Sequence, residues 1–292
     1  MRYERLFPAM RSSLSLAMAI VARVLLSKRA VLVFLVEAVV FWDVLAPVAS
    51  FSVELGYRVG PWLLVFMAAD PICQLFFVTG VIFLMADAPF VAEGEASVVV
   101  RTSRVCWAAA RIAAVALIVA LYYLVLLGMS WIFTLPWMTF AVEGWGVTLA
   151  TLAETDAAEA MGLPLAFAIG LVGSMKPLSA LLLVLGFEVL GGIVLGLIIL
   201  AVNAFTDSHF GVGVAAFVAL FDLLAINILP YIALRFSPVS HARLTVLDFS
   251  GASPYFPTPL EAFGVDVVLA CLFGLLFLLA VKDMEIQPRS LD

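Results

Sequence analysis

Six continuous apolar runs divide the chain, at about 30–52, 62–86, 106–134, 178–205, 212–235 and 262–281. Each is long enough for a helix rising 1.5 Å per residue to cross a hydrocarbon core about 30 Å thick. Such a run must be helical, because backbone groups in hydrocarbon find hydrogen-bond partners only within the segment. A membrane barrel would instead show alternating segments of about ten residues. Residues 1–29 follow another pattern. Arg2, Arg5, Arg11, Arg23, Lys28 and Arg29 bracket the apolar stretch Leu14–Leu26. Ala17-Met18-Ala19 has the form of a signal-peptide cleavage triplet, but it lies inside the apolar core and basic residues continue past it. An amphipathic helix lying on the membrane face fits better. The predicted fold is all-α: a polytopic membrane protein with an N-terminal interfacial helix (1–29), a six-helix transmembrane domain (30–281) and a cytoplasmic tail (282–292).

The polar segments between the runs differ in character. Residues 87–104 hold Asp87, Glu93, Glu95, Arg101 and Arg104, and Pro89 ends the preceding helix. The segment 135–177 is acidic, with Glu143, Glu154, Asp156 and Glu159. Its apolar end, Leu163–Met175, is too short to cross and is expected to be re-entrant or interfacial. Thr206–Gly211 is only a turn. The segment 236–261 is rich in proline, serine and aromatic residues and is expected to form an ordered outer cap.

Composition places the chain in lipid: 65% of residues are hydrophobic and 12% charged, and the mean hydropathy is +1.19. Soluble domains are about half apolar and about a quarter charged. The distribution of basic residues sets the orientation. With the N-terminus inside, eleven of the fifteen Lys and Arg residues fall on the cytoplasmic side, counting Arg111 as snorkelling from span three. Arg58, Lys176, Arg235 and Arg243 fall outside. Both termini and 87–104 are therefore expected to be cytoplasmic. Trp131, Trp137 and Trp145 cluster as an aromatic belt at the outer leaflet would. The net charge of −6 is neutral on nucleic acid, and no nucleic-acid partner is expected.

Six acids lie within the apolar runs: Glu37, Asp43, Asp70, Glu188, Asp222 and Asp266. Each costs about 2.5–3.5 kcal/mol at a helix centre, which the surrounding Leu, Ile, Phe and Val outweigh. Asp70-Pro71 is expected to kink span two. Glu188, Gly192 and Gly196 share a stripe of span four; Asp266, Ala270 and Gly274 repeat that spacing in span six. Ala215, Ala219 and Ala225 share the face of Asp222. An acid among small residues marks close helix contact. By helical rise, Glu188 and Asp222 both fall near mid-bilayer. With no Lys or Arg inside spans four to six, both are expected to be uncharged and to face protein, either cementing the bundle or forming a polar path. Asp266 falls near enough to the outer surface to be wetted.

Catalytic motifs are missing. The sequence has no HExxH, no GxSxG and no GxxxxGK[ST], so ATP hydrolysis would need another chain. His209 and His241 fall in segments on opposite faces, where both are expected to be solvated. Cys73, Cys106 and Cys271 are odd in number and form no CxxC, which points to packing rather than disulfides or metal. No catalytic, cofactor or metal residue is predicted.

Taken together, the interfacial N-terminal helix, the six spans and the charged turn between spans two and three resemble the permease subunits of ABC-2-type exporters. Several motifs are more specifically similar to a group of uncharacterised bacterial permease-like membrane proteins. They are Asp87-Ala88-Pro89-Phe90, Arg101-Thr102-Ser103-Arg104 with Trp107, Thr151-Leu152-Ala153-Glu154-Thr155-Asp156, Leu229-Pro230-Tyr231 and Ser237-Pro238-Val239-Ser240-His241-Ala242-Arg243-Leu244. That similarity covers about 85–275. It implies a membrane subunit working with a separate ATPase and a second permease chain, and it implies no substrate. ATPase coupling would then fall to Asp87, Pro89, Phe90, Glu93, Glu95, Arg101 and Arg104, with Phe90 and Val91 offering an apolar face to the partner. Gly94 departs from the pattern by weakening the presumed coupling helix. The alternatives are a proton-coupled transporter or channel using Glu188 and Asp222, although the sequence shows neither the inverted repeats nor the broken helices usual in such transporters, and, with less support, an intramembrane aspartyl hydrolase.

Overall fold

In the computed structural model, residues 3–91, 103–141 and 143–283 are described, with side chains from 13 to 282. The described residues form an all-α bundle. Five helices are long and apolar enough to cross a membrane, and a bent pair makes a sixth crossing when taken as one span. The chain is thus a multi-pass membrane protein.

Helix α1 (Tyr3–Leu25) runs into α2 (Lys28–Leu55), where Ser27 caps the N-terminus by accepting from the Ala30 amide. Gly56, at φ 75°, closes the other end in the left-handed conformation that residues with a Cβ resist. The second apolar run is broken into α3 (Leu63–Ala69) and α4 (Pro71–Met85), bent by 91°. Asp70 leaves the helical conformation, its carboxylate accepts from the Ile72 and Cys73 amides, and Pro71 takes the first helical position. The expected kink is a full break.

Beyond 87–104, α5 (Arg104–Thr134) crosses as expected. The segment 135–177 carries three short helices, α6 (Val147–Glu154), α7 (Ala157–Ala160) and α8 (Ile169–Ser174). It folds over α3, with Trp145 and Phe167 both packed on Phe66. Trp145 is therefore buried rather than part of a belt, and its indole donates to Met175 O. Helix α9 (Pro177–Thr206) is the most buried span and packs against α4, α5, α10 (Phe210–Asn227) and α11 (Pro259–Asp283). The fifth crossing helix stops at Asn227, short of the predicted 235, and Tyr231–Phe236 continues as a 3₁₀ turn. Two further 3₁₀ turns, Ser240–Ala242 and Leu244–Val246, follow. The first part of this segment enters the bundle, while 249–256 stays exposed or half-buried. Ser237, Ser240, His241 and Arg243 are all buried, and Ser240–Ala242 packs against α9 and α11.

Candidate functional site

Four of the six intramembrane acids, Glu37, Glu188, Asp222 and Asp266, are each no more than 3% exposed. Asp43 is exposed and Asp70 is spent on its cap. The buried four sort into two paired acids, Asp222 and Asp266, and one chamber whose two acids make no hydrogen bond or ion pair with a basic side chain among the described residues.

In the first pair, α10 presents Asp222 on the face of Ala215, Ala219 and Ala225, all buried as expected. Arg243 meets it with two parallel bonds, Nη1 to Oδ2 at 2.6 Å and Nη2 to Oδ1 at 2.5 Å. The Ser240 and Ser237 hydroxyls also donate to Oδ1, at 2.5 and 3.3 Å. Asp222 is therefore an ion-pair partner, contrary to the expectation of an uncharged acid. Its cation arrives from the inserted segment rather than from a span, and forked guanidinium geometry holds both carboxylate oxygens.

The second pair is Asp266 with His241, Oδ1 to Nδ1 at 2.9 Å. His241 Nε2 faces Arg235 O at 3.3 Å, so that nitrogen carries a hydrogen. Both ring nitrogens therefore face an oxygen, Nδ1 that of Asp266 and Nε2 that of Arg235. His241 is fully buried, with Phe187 at its edge, and Asp266 is fully buried with it. Neither the solvated histidine nor the wetted aspartate of the sequence reading is found. Gly274, expected to repeat the close packing of span four, has open space around it. Cys271 is exposed rather than packed; Cys73 is buried.

The chamber lies between α2, α4, α5 and α9. The Tyr122 hydroxyl donates to Glu37 Oε1 at 2.7 Å and sits 3.0 Å from Phe77 O. It reaches both because position 80 is glycine: a Cβ there would lie 2.2 Å from the hydroxyl. Tyr123 turns toward Glu188 on α9. Gln74, in the first turn of α4, donates to Glu188 Oε2 at 3.2 Å and to Val239 O at 3.3 Å. Gly191 lets the inserted backbone come this close, since a Cβ would lie 2.7 Å from Pro238 O. No hydrogen bond or ion pair joins Glu37 or Glu188 to a basic side chain among the described residues. Three buried oxygens here, Glu37 Oε2, Glu188 Oε1 and Gln74 Oε1, have no protein partner. Sequence reasoning missed Gln74, Tyr122, Tyr123, His241 and Arg243. A lone amide and a tyrosine pair inside otherwise apolar spans were the available signals.

A separate assembly forms around residues 86–91 and the start of α5. Asp87 pairs with Arg29 at 2.8 Å. Arg23 donates to Phe90 O at 2.7 Å, and Ser13 on α1 donates to Cys106 O on α5 at 3.1 Å. Asn203 on α9 donates to Ala88 O and accepts from the Gly211 amide, joining the turn to α9 and α10. His209 is exposed and contacts Ala86 O at 3.1 Å. Arg104 donates to Val281 O and Lys282 O, satisfying the last carbonyls of α11 rather than reaching for headgroups. Pro89 lies within this turn. Phe90 is only 5% exposed, so it belongs to this chain's own core and offers no docking face. Arg111 is fully buried, with its guanidinium 4.6 Å from the centre of the Trp107 ring, one turn nearer the start of α5. Glu93, Glu95 and Arg101 lie outside the described residues.

No family model, curated protein or solved structure matches the chain. Among the described residues, no group of three or more His, Cys, Asp or Glu is placed to hold a metal ion.

Proposed function

We propose that this chain is the transmembrane subunit of an ABC-type exporter of the ABC-2 kind, driven by a separate ATPase and paired with a second permease chain in the cell membrane. One observation carries the reading: the amphipathic α1 and the turn at 86–91 form a single platform tied to every neighbouring span. Ser13 reaches α5, Arg29–Asp87 reaches α2, Asn203 reaches α9 and α10, and Arg104 joins α5 to α11. A push on that platform is shared by the spans at once, because each tie is a short polar contact to backbone or to an opposite charge. The exposed Arg29–Asp87 pair contributes little stability by itself; its value is positional. The basic-residue asymmetry puts this platform, with both termini, on the cytoplasmic side.

The relay alternative loses one of its two acids. Asp222 is fully engaged by Arg243, Ser237 and Ser240, which leaves Glu188 without its proposed partner. The break at Asp70-Pro71 is a single broken span, without a counterpart in the other half among the described residues.

The test is co-purification from native membranes. An ATPase subunit should be recovered with the tagged wild-type chain and lost when Glu93→Lys and Glu95→Lys are combined, with insertion intact. Phe90→Asp is unsuitable because it places a charge in the core. In a chain without its native cysteines, Ser253→Cys should react with an impermeant thiol reagent on intact cells and Gly94→Cys should not. Undiminished ATPase recovery after both charge reversals, or labelling of Gly94→Cys from outside, refutes the reading.

A further inference from the structure

We infer that the chamber formed by Glu37, Gln74, Tyr122, Tyr123 and Glu188 holds one carboxyl in its protonated form and binds one further monovalent cation, either a proton or an alkali ion, on the other. The inference is independent of the ATP-driven reading above. Two carboxyl groups stand there in hydrocarbon, 2% and 3% exposed. An uncompensated buried charge is among the most costly features a protein can hold. The nearby bases are already used. Arg243 holds both carboxylate oxygens of Asp222, and His241 is paired with Asp266. The dipole of α4, whose first turn carries Gln74, is likewise occupied by the Asp70 carboxylate.

What remains is a set of oxygen acceptors. Glu37 Oε2, Glu188 Oε1 and Gln74 Oε1 are buried without protein partners. The Gln74 amide is fixed in orientation, because its nitrogen faces two acceptors, Glu188 Oε2 and Val239 O. Its oxygen is therefore left for a cation. Hard oxygen ligands suit a proton or an alkali ion, whereas soft metals call for sulfur or imidazole. With one carboxyl protonated a single negative charge remains, which matches a monovalent rather than a divalent cation, and among the described residues no group of three or more His, Cys, Asp or Glu is placed to hold a metal ion. The other ionisable groups bearing on it are Cys73 and Asp70 from the α3–α4 break, Tyr122 and Tyr123 from α5, and Arg243 from the inserted segment. Because the chamber joins α2, α4, α5 and α9, its occupant ties the broken span to the centre of the bundle.

The experiment uses the full chain in detergent micelles, following thermal unfolding by tryptophan fluorescence. Sodium, potassium and lithium chloride are compared with N-methyl-D-glucamine chloride at equal ionic strength and pH 8, and the organic salt alone at pH 6 and pH 8. Stabilisation by one alkali ion at pH 8 identifies that ion. Stabilisation on acidification alone, with no alkali effect, identifies the proton. In either arm Glu37→Gln and Glu188→Gln should weaken the response at least about tenfold in half-saturating concentration, equivalent to about 1.4 kcal/mol. Where a variant does not fold, the wild type decides. Dicyclohexylcarbodiimide, which modifies carboxylic acids in apolar surroundings, should label Glu37 or Glu188, with protection by the alkali ion or by high pH. A wild type indifferent to both alkali ions and pH, variants that respond like it, or labelling that neither condition alters would each overturn the assignment.

Discussion

The clearest energetic consequence of the fold is at Arg243. Replacing it with Met keeps the length and apolar stem but leaves Asp222 in the bundle without its cation. Removing one member of a buried pair costs about 3–5 kcal/mol, since the survivor is neither solvated nor neutralised. Both partners are about 2% exposed, so solvent screening gives little relief. Ser237 and Ser240 still donate to Oδ1 and keep the cost from rising further. Asp222→Asn strands the guanidinium instead and should cost a similar amount. In the double variant no charge is stranded: the serines donate to the Asn oxygen, and the remaining cost is the unsatisfied amide NH2 group, about 1–3 kcal/mol. Single losses totalling at least about 6 kcal/mol against a double loss of at most about 3 leave a coupling of about 3 kcal/mol or more. The assay is equilibrium unfolding in mixed micelles by added dodecyl sulfate, read by tryptophan fluorescence, for all four members of the cycle. Additive single losses, or single losses below about 1 kcal/mol, would show that the pair does not hold the inserted segment in place.

Two further outcomes follow from local geometry. Gly192→Ala and Gly196→Ala should each destabilise the bundle by about 1–3 kcal/mol, because the new methyl would lie 2.7 Å from Val119 Cγ1 and 2.6 Å from Val115 Cγ1. Gly186→Ala on the same helix meets open space and should be neutral or stabilising by about 0.5–1 kcal/mol; the same unfolding assay separates them. In the segment 247–258, the Ser250 hydroxyl and then the Ser253 amide lower the Asp248 carboxyl from 3.8 to about 2. A lowered acid contributes order that is fully present above 3.8 and lost as pH falls through about 2. Pepsin cleavage near Phe249 and Tyr255, normalised to a denatured control, should stay low at pH 4 and rise toward pH 2. Asp248→Asn should already be cleaved at pH 4, and equal cleavage of both chains there would refute the account.

The sequence alone determined the class of fold, the approximate positions of the crossing helices, a bend at Asp70-Pro71 and the close packing along Gly192 and Gly196. These are local properties. Twenty apolar residues cannot leave backbone groups unpaired in lipid, and a proline fixes the conformation of the residue before it wherever the chain goes. The structure alone decided how the buried acids are compensated. Arg243 lies 21 residues from Asp222, and His241 lies 25 from Asp266. Hydropathy reads the segment Ser237–Arg243 in the same way whether it rests on the surface or inserts beside α9. Only the depth set by Gly191, and by the short α10 that ends at Asn227, brings its polar side chains to the acids. The same applies to Phe90, which looks free to dock on a partner in the sequence and is buried in this chain's own core. Partners distant along the chain are chosen by packing, and the cost of an unpaired charge in hydrocarbon explains why those partners are found.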